Sequence, residues 1–186
     1  MRLSGISWGV EMRYVKIPME RIAVLVGKDG IVKKRIEKKN ITLDIDSNTG
    51  DIKISADDSL QELTAENVVR AIGRGFSPQN AFLLFNDEYY FELFDIRDWV
   101  GKKPGQVKRV AGRIIGRSGK SRRVIEELTD THLSVYGHTI GIIGRIDELQ
   151  AARRAIEMLL EGASHPSVYR FLEKEKKRRK LKEFGL

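Results

Sequence analysis

The sequence predicts an α+β protein built from two tandem copies of one unit, each a three-stranded antiparallel sheet packed against three helices. Two observations support this fold class. Short apolar motifs recur at offsets of 86 to 90 positions along the 186 residues, which indicates an internal repeat. In both copies the apolar residues switch between helical and alternating spacing in the same order, and a glycine-x-x-glycine break separates the first two predicted helices.

The repeat is clearest around the first glycine pair. The stretch from Ile22 to Gly30 recurs 89 positions later as Ala111 to Gly119, and Ile36 recurs as Ile125. Later matches drift to other offsets, as changes in loop length would produce. The predicted organisation is a first domain at 9–76, an apolar connecting segment at 77–86, a second domain at 87–162 and a basic C-terminal extension at 163–186.

The first copy is predicted to run strand, helix, helix, strand, strand, helix. Pro18 is tolerated in a first helical turn and opens the first helix, and a polar turn at 47–50 joins two alternating segments into a hairpin. The predicted elements are a strand at 11–17, helices at 18–26 and 31–39, a hairpin at 41–55 and a helix at about 60–74.

The second copy repeats this order. Its predicted elements are a strand at 89–96, helices at 106–115 and 120–129, a hairpin at 132–143 and a helix at 146–160. Between the copies, the run from Ala81 to Phe85 is too apolar for a free linker, so we expect it to pack against a neighbouring element. The C-terminal stretch 170–182 has eight basic and two acidic residues. A docked helix that contacts a polyanion and a solubilising tail are both open interpretations of it.

Three Gly-x-x-Gly sequences occur, at 27–30, 116–119 and 141–144. The third lies in an alternating apolar segment without a charge, which predicts a strand and turn. The first two lie between amphipathic helices, where a helix N-terminus presents unpaired N–H groups and the positive end of its dipole. Phosphate oxygens suit such a place, because the glycines remove side chains that would hold a backbone at a distance. The alternative, that each break only joins two helices tightly, stays open.

Charge distinguishes the two loops. The formal net charge is +8, yet residues 99–125 alone hold nine basic residues and no acidic one, which favours a polyanionic partner. These nine are Lys102, Lys103, Lys108, Arg109, Arg113, Arg117, Lys120, Arg122 and Arg123. In the first loop Asp29 places a carboxylate where a phosphate would approach, so we expect weaker binding there.

Several other classes of function are disfavoured. Without cysteine the chain has no thiolate zinc site, iron–sulfur cluster or cysteine nucleophile. The segment 112–121 ends like a phosphate-binding P-loop, but Ile114 occupies a required glycine position and a helix is predicted where that motif needs a strand. The three histidines lack zinc or triad spacing. We therefore expect no enzyme activity, cofactor or metal, and, with no long apolar stretch, no membrane and a cytoplasmic location.

The helix–GxxG–helix junction and the element order of both copies resemble the type I KH (K-homology) RNA-binding domain. That resemblance implies two tandem KH domains, each clamping about four single-stranded nucleotides at its loop. It also implies that the bases lie in a groove beside each loop, and that Ile31, Ile115 and nearby aliphatic side chains form the base of these grooves. The residues expected to bind RNA are Gly27, Lys28, Asp29, Gly30, Ile31 and Lys34 in the first copy, and Arg113, Ile115, Gly116, Arg117, Ser118, Gly119, Lys120, Arg122 and Arg123 in the second.

The segment GRIIGRSGKSRRVIEELTDTHLSVYG, at 112–137, together with the tandem order and the basic extension, is similar to the archaeal Dim-two or partner-of-Nob family of ribosome-assembly factors. This resemblance implies binding to the 3′ end of small-subunit 16S rRNA. It further implies contact with the alpha subunit of translation initiation factor two and with the Nob endonuclease. A KH-type RNA adaptor in RNA degradation and a nucleotide-hydrolysing assembly factor remain the rival functions.

Overall fold

The computed structural model describes residues 12–183, and the chain divides into two compact units between Gly73 and Arg74. Each unit contains one three-stranded antiparallel sheet with helices packed against it, which confirms the predicted α+β class. The predictions for residues 9–11 and 184–186 lie outside the described residues. Between residues 12 and 183, no helix combines the length and apolar character needed to cross a membrane.

The first unit follows the predicted order. Its elements are β1 (Arg13–Lys16), α1 (Met19–Val26), a 3-10 turn (Lys28–Gly30), α2 (Ile31–Glu37), β2 (Ile41–Ile45), β3 (Asp51–Ala56) and α3 (Ser59–Gly73). β3 lies in the centre of the sheet, with β1 and β2 as its edges. α2 ends two residues before the predicted Lys39, because the chain turns at Asn40 with a φ of +58°.

The second unit has the same sheet order and three additional helices. Its elements are α4 (Pro78–Ala81), a 3-10 turn (Phe82–Phe85), β4 (Tyr89–Asp95), α5 (Arg97–Val100), α6 (Pro104–Ile115), a 3-10 turn (Arg117–Gly119), α7 (Lys120–Thr129), β5 (His132–Tyr136), β6 (Thr139–Arg145), α8 (Ile146–Leu160) and α9 (His165–Glu183). β6 is the central strand. α5 is absent from the elements predicted from the sequence, and at its start Asp95 accepts a hydrogen bond from the Arg97 N–H at 2.9 Å.

The residues that define the sequence repeat form the two cores. In the first unit Leu25, Ile36, Ile52 and Ile54 are fully buried between the sheet and the helices. Their repeat partners, which are likewise fully buried in the second unit, are Ile114, Ile125, Ile140 and Ile142. The residues matched at offsets of 88 and 89 positions therefore form the same packing arrangement in both units.

The third Gly-x-x-Gly lies within β6, as its alternating pattern predicts. A Cβ atom on Gly141 would lie 2.6 Å from the ring of Phe76, so the missing side chain lets that ring lie on the sheet. Phe76 also packs edge-on against Phe91, with ring centroids 6.0 Å apart. The second sheet is therefore covered on the face opposite its helices, and the central strand β6 is buried almost throughout.

The C-terminal extension is a helix docked on the second unit. Val168 and Leu172 are fully buried and belong to that unit's hydrophobic cluster. Farther along α9, Arg179 donates hydrogen bonds to the carbonyl oxygens of Thr129 and Leu128 at 3.0 and 2.7 Å. These carbonyls lack helical partners at the C-terminal end of α7. α9 thus contributes both apolar packing and a helix cap.

Removing the apolar anchor of α9 should destabilise the second unit. Leu172→Ala is expected to lower the free energy of unfolding by about 2–5 kcal/mol, because it removes a fully buried side chain and leaves a cavity. Lys174→Ala, on an exposed position of the same helix, should change it by no more than about 0.5 kcal/mol. Urea unfolding followed by circular dichroism measures both. Equal values for the two variants would contradict the docking of α9.

Candidate nucleic-acid interface

The first glycine of each loop lies against the helix that follows it. Gly27 has φ and ψ of 73° and 170°, and Gly116 has 74° and 172°. A Cβ on Gly27 would lie 2.9 Å from the backbone nitrogen of Val32, and one on Gly116 would lie 2.7 Å from that of Ser121. Both the positive φ and the close approach therefore require glycine at this position.

The third and fourth loop positions are also left-handed. Asp29 and Ser118 have φ of 54° and 51°, and Gly30 and Gly119 have φ of 73° and 74°. A short polar side chain or no side chain tolerates this conformation best. Three of the four loop residues therefore have positive φ in both units, and the two loops share one backbone conformation.

A basic residue on the following helix holds each loop. Lys34 Nζ donates to the carbonyl oxygen of Asp29 at 3.2 Å, and Arg123 Nη2 donates to that of Ser118 at 3.0 Å. These pairs are related by the 89-residue offset. Lys34 and Arg123, both predicted to contact RNA, thus also fix the carbonyl of the left-handed loop residue.

The helix after each loop is joined to the next strand by one glutamate. Glu37 Oε1 accepts a hydrogen bond from the Leu43 N–H at 3.4 Å, and Glu126 Oε1 accepts one from the Leu133 N–H at 2.7 Å. Leu43 and Leu133 lie on β2 and β5, the edge strands that follow α2 and α7. Both units therefore place an edge strand beside the loop helix through the same contact.

The basic residues of 99–125 separate into two groups. Within the described residues, six exposed side chains have no ion-pair or hydrogen-bond partner, namely Lys102, Lys103, Lys108, Arg109, Arg117 and Lys120. Arg113 instead donates to the carbonyl oxygens of Gly162 and Ala163, and Arg122 lies 3.5 Å from Glu126. Arg113 thus has a structural contact that the charge count did not reveal.

The first loop is electrostatically different although its shape is the same. Lys28 is exposed, and the exposed Asp29 carboxylate beside it offsets its charge. At the matching positions the second loop has Arg117 and the neutral Ser118. Lys33 is paired with Glu37 at 3.6 Å, as Arg122 is with Glu126. At these two loop positions the second loop therefore has one net positive charge and the first has none.

The apolar residues beside the loops are not equivalent to each other. Ile31 begins α2 after the first loop and is 67% exposed, whereas Ile115 ends α6 before the second loop and is half-buried. The residue that matches Ile115 at the 89-residue offset is Val26, also half-buried. The sequence repeat matches Val26 with Ile115, but Val26 is not among the residues predicted to bind RNA. Val32 and Ser121, on which the first glycines pack, are related by the same offset and are also absent from that prediction.

The remaining sequence candidates have structural contacts. His165 Nε2 lies 2.9 Å from the carbonyl oxygen of Arg113, and His138 Nε2 lies 3.7 Å from the Asp95 carboxylate. Hydrogen bonds from Arg97 lower the pKa of Asp95 below its usual value. Across residues 12–183 there is no group of His, Asp and Glu residues suited to a metal ion. The segment before Gly116 is the helix α6, not the strand that a P-loop requires.

Comparison with known proteins assigns the second unit to a domain family. Residues 90–177 match the model of the second KH domain of PNO1, a eukaryotic type KH-domain (KH-domain type I). A KH domain-containing protein of Methanocaldococcus jannaschii is 43% identical over 191 residues, which cover all of this chain and 83% of that protein. The pre-rRNA-processing protein pno1 of Emericella nidulans is 29% identical over 175 residues, or 90% of this chain and 68% of its own length.

A solved structure is also similar. In the complex of a/eIF2alpha, aDim2p and rRNA from Pyrococcus horikoshii, the matching chain is 45% identical, with a TM-score of 0.85. The match covers 92% of this chain and 97% of that one. The likeness therefore extends over both units and is not limited to the second.

The two glycines of the second loop should differ in their tolerance of a side chain. Gly119→Ala places alanine in the left-handed helical region, which costs about 1–2 kcal/mol, whereas Gly116→Ala places it at a ψ of 172°, a region that is essentially restricted to glycine. Only the methyl group at position 116 would also meet the backbone of Ser121, while position 119 is open. We expect Gly116→Ala to be the more destabilising in urea unfolding. The same loss in both variants would contradict the close approach as a reason for glycine.

Proposed function

This chain belongs to the Dim2 and Pno1 family of KH-domain proteins, and on that premise we propose that it binds single-stranded RNA of the small ribosomal subunit during ribosome assembly. The observation that carries this proposal is the second loop. It joins two helices with positive φ at three of its four positions, and unpartnered cations lie on both sides of it. A relative processes pre-rRNA, and a similar structure contains rRNA, according to their names.

The second loop would hold the RNA backbone through charge and shape. Its glycines leave the peptide backbone open, and the first N–H groups of α7 have no partners within the helix. Arg117 and Lys120 add two free cations at the same place. Phosphates would therefore lie over the loop, with bases toward the half-buried Ile115 and the edge strand β5, at about four nucleotides per domain.

The proposed target is the 3′ end of 16S rRNA, read through the Gly-x-x-Gly loops. The similar rRNA complex supports an rRNA ligand, and the particular segment is our proposal. We propose a non-enzymatic role, because the second loop has the free cations of an RNA clamp and α6 stands where a P-loop would need a strand. The proposed location is the cytoplasm, where ribosomal subunits would be assembled. The expected protein partners are the alpha subunit of translation initiation factor two and the Nob endonuclease.

We propose that the first unit is a second KH domain. Its sheet order, its loop conformation and its two side-chain contacts from α2 all repeat those of the second unit. Two clamps on one chain raise the effective concentration of the second contact, so joint affinity exceeds that of either one. A linear RNA of about eight nucleotides or more is the natural ligand.

Reversing the charge of the second loop should abolish RNA binding. The variant combines Arg117→Asp with Ser118→Asp. Folding should survive, because Asp29 occupies the matching left-handed position of the first loop. Binding is measured for wild type and variant with a 3′-end 16S RNA, a scrambled strand and a duplex, at several salt concentrations.

The wild type should prefer the 3′-end strand, and that preference should persist at high salt, because base contacts depend less on salt than phosphate contacts do. Urea unfolding serves as the control for folding. Unchanged RNA affinity in a folded variant would reject the role of the loop. Equal wild-type binding to all three RNAs that disappears with salt would reject sequence-sensitive binding altogether.

Exchanging one residue between the loops should shift affinity in opposite directions. Asp29→Ser removes a carboxylate from the first loop and should strengthen RNA binding, whereas Ser118→Asp should weaken it. Each exchange places in one loop the residue that the other already accommodates at nearly the same φ and ψ. Titration with the 3′-end RNA measures both. No gain in the Asp29→Ser variant would indicate that the first loop does not contact the RNA backbone.

A further inference from the structure

The cations of α9 are divided between structural and unpartnered positions. Lys176 donates to the carbonyl oxygen of Glu127, Arg179 donates to those of Leu128 and Thr129, and Arg178 pairs with Glu175 at 2.6 Å. Five exposed cations of α9 have no such partner within the described chain. Lys180 and Lys182 line a cleft at the end of the helix, and we call the other three the α9 stripe. They are Arg170, Lys174 and Lys177.

The α9 stripe follows one line along the helix. Its members are four and three residues apart, a spacing that puts side chains on the same helical face. With a rise of about 1.5 Å per residue, the stripe spans roughly 10 Å. Neighbouring like charges on one face disfavour a helix by a few tenths of a kcal/mol per pair. The carboxylate beside them, Glu173, is exposed and forms no ion pair with a residue between 12 and 183.

The helix that presents these cations is held firmly. Val168 and Leu172 anchor its opposite side in the core, and Lys176 and Arg179 attach it to the end of α7. The stripe is therefore positioned before any ligand arrives. A pre-positioned group loses less conformational entropy on binding than the same group on a flexible tail does.

The start of α9 contacts the last turn of α6, which leads into the second loop. His165 at its start contacts the carbonyl oxygen of Arg113, and the Arg113 side chain contacts the carbonyls of Gly162 and Ala163. Arg113 lies one turn before Gly116, where the loop starts. From there α9 runs beside α7 until its Arg179 reaches Thr129 at the far end. An RNA strand bound at the second loop can therefore continue along α9.

From these observations we propose that the α9 stripe binds the phosphates of RNA nucleotides flanking those held at the second loop. The proposal deepens, and rests on, the proposed RNA-binding function. The exposed face from 170 to 177 has no aromatic or amide side chain with which to stack on a base or read its edge. Its contact is consequently with the backbone and does not depend on the RNA sequence.

The other side of α9 does not suit a polyanion. A cleft of about 590 Å³ lies between the last turns of α9 and the first turn of α8. Its lining is nearly balanced in charge, with five basic and four acidic residues, and Arg145 pairs with Glu88 while Lys176 pairs with Asp130. Among the described residues the stripe holds three unpaired cations beside one carboxylate, which favours it over the cleft as the path of the RNA.

The test compares two variants that lose the same charge. Lys174→Gln with Lys177→Gln removes two cations of the stripe and keeps good helix formers. Lys180→Gln with Lys182→Gln removes two exposed cations, also unpartnered within the described chain, from the cleft side of the same helix and serves as the matched control. The probes are an eight-nucleotide RNA, a longer RNA that contains it, and a scrambled RNA of the longer length.

The stripe variant should bind the longer RNA about three- to tenfold more weakly, should lose as much affinity for the scrambled strand, and should leave the short RNA unaffected. The slope of log affinity against log salt concentration should become shallower by about 1.4. Each phosphate contact on a single strand contributes about 0.7 to that slope, and the variant loses two such contacts. Glu173→Gln should raise affinity for the longer RNA.

An unchanged salt slope in the stripe variant, or an equal loss in the matched control, would overturn the proposal. Failure of the wild type to bind any of the RNAs would instead reject the proposed function itself. These two failures are therefore distinguishable in one set of titrations.

Discussion

Positive backbone φ at three of four consecutive positions is the constraint on which both units depend. It lets the chain end one helix and begin the next within a single tight turn, so that the second helix starts beside the end of the first. Gly27 and Gly116 meet it by having no Cβ, which allows their backbone to lie directly on the following helix. Asp29 and Ser118 have short polar side chains that tolerate it, and a basic residue of the following helix donates a hydrogen bond to the backbone carbonyl oxygen of each.

The two loops have the same backbone conformation but different surface charge. The contacts that maintain the loop geometry persist, although lysine in one copy becomes arginine in the other and Val32 becomes Ser121. The charge at the loop surface has not persisted, because Asp29 stands where the second loop has Ser118. Loop geometry is set by backbone conformation and by hydrogen bonds to the loop carbonyls, whereas ligand affinity depends on surface charge. The loop geometry can therefore be kept while the affinity for a ligand changes.

The sequence predicted what depends on local periodicity. α7 and α8 begin and end where their apolar spacing places them, and the matched isoleucines of the repeat are the buried core. It did not predict α5, at whose start Asp95 of the preceding strand accepts a hydrogen bond from the Arg97 N–H. The contact of Arg113 with Gly162 and Ala163 was likewise invisible, because it joins positions about 50 residues apart. No local pattern records such contacts.

Among the described residues of the second unit, some basic side chains are hydrogen-bonded to backbone carbonyls, and others are free to bind a ligand. This difference changes how the two basic segments are interpreted. A charge count treats all nine basic residues of 99–125 and all eight of 170–182 alike. In the structure, Arg113 satisfies carbonyls that follow α8, while Lys176 and Arg179 satisfy those that end α7. These groups could reach a phosphate only by leaving a carbonyl unpaired, which carries its own cost in free energy. The cations free to bind RNA are consequently fewer than the sequence suggests, and in the second unit they concentrate before and around the second loop and along the outer face of α9.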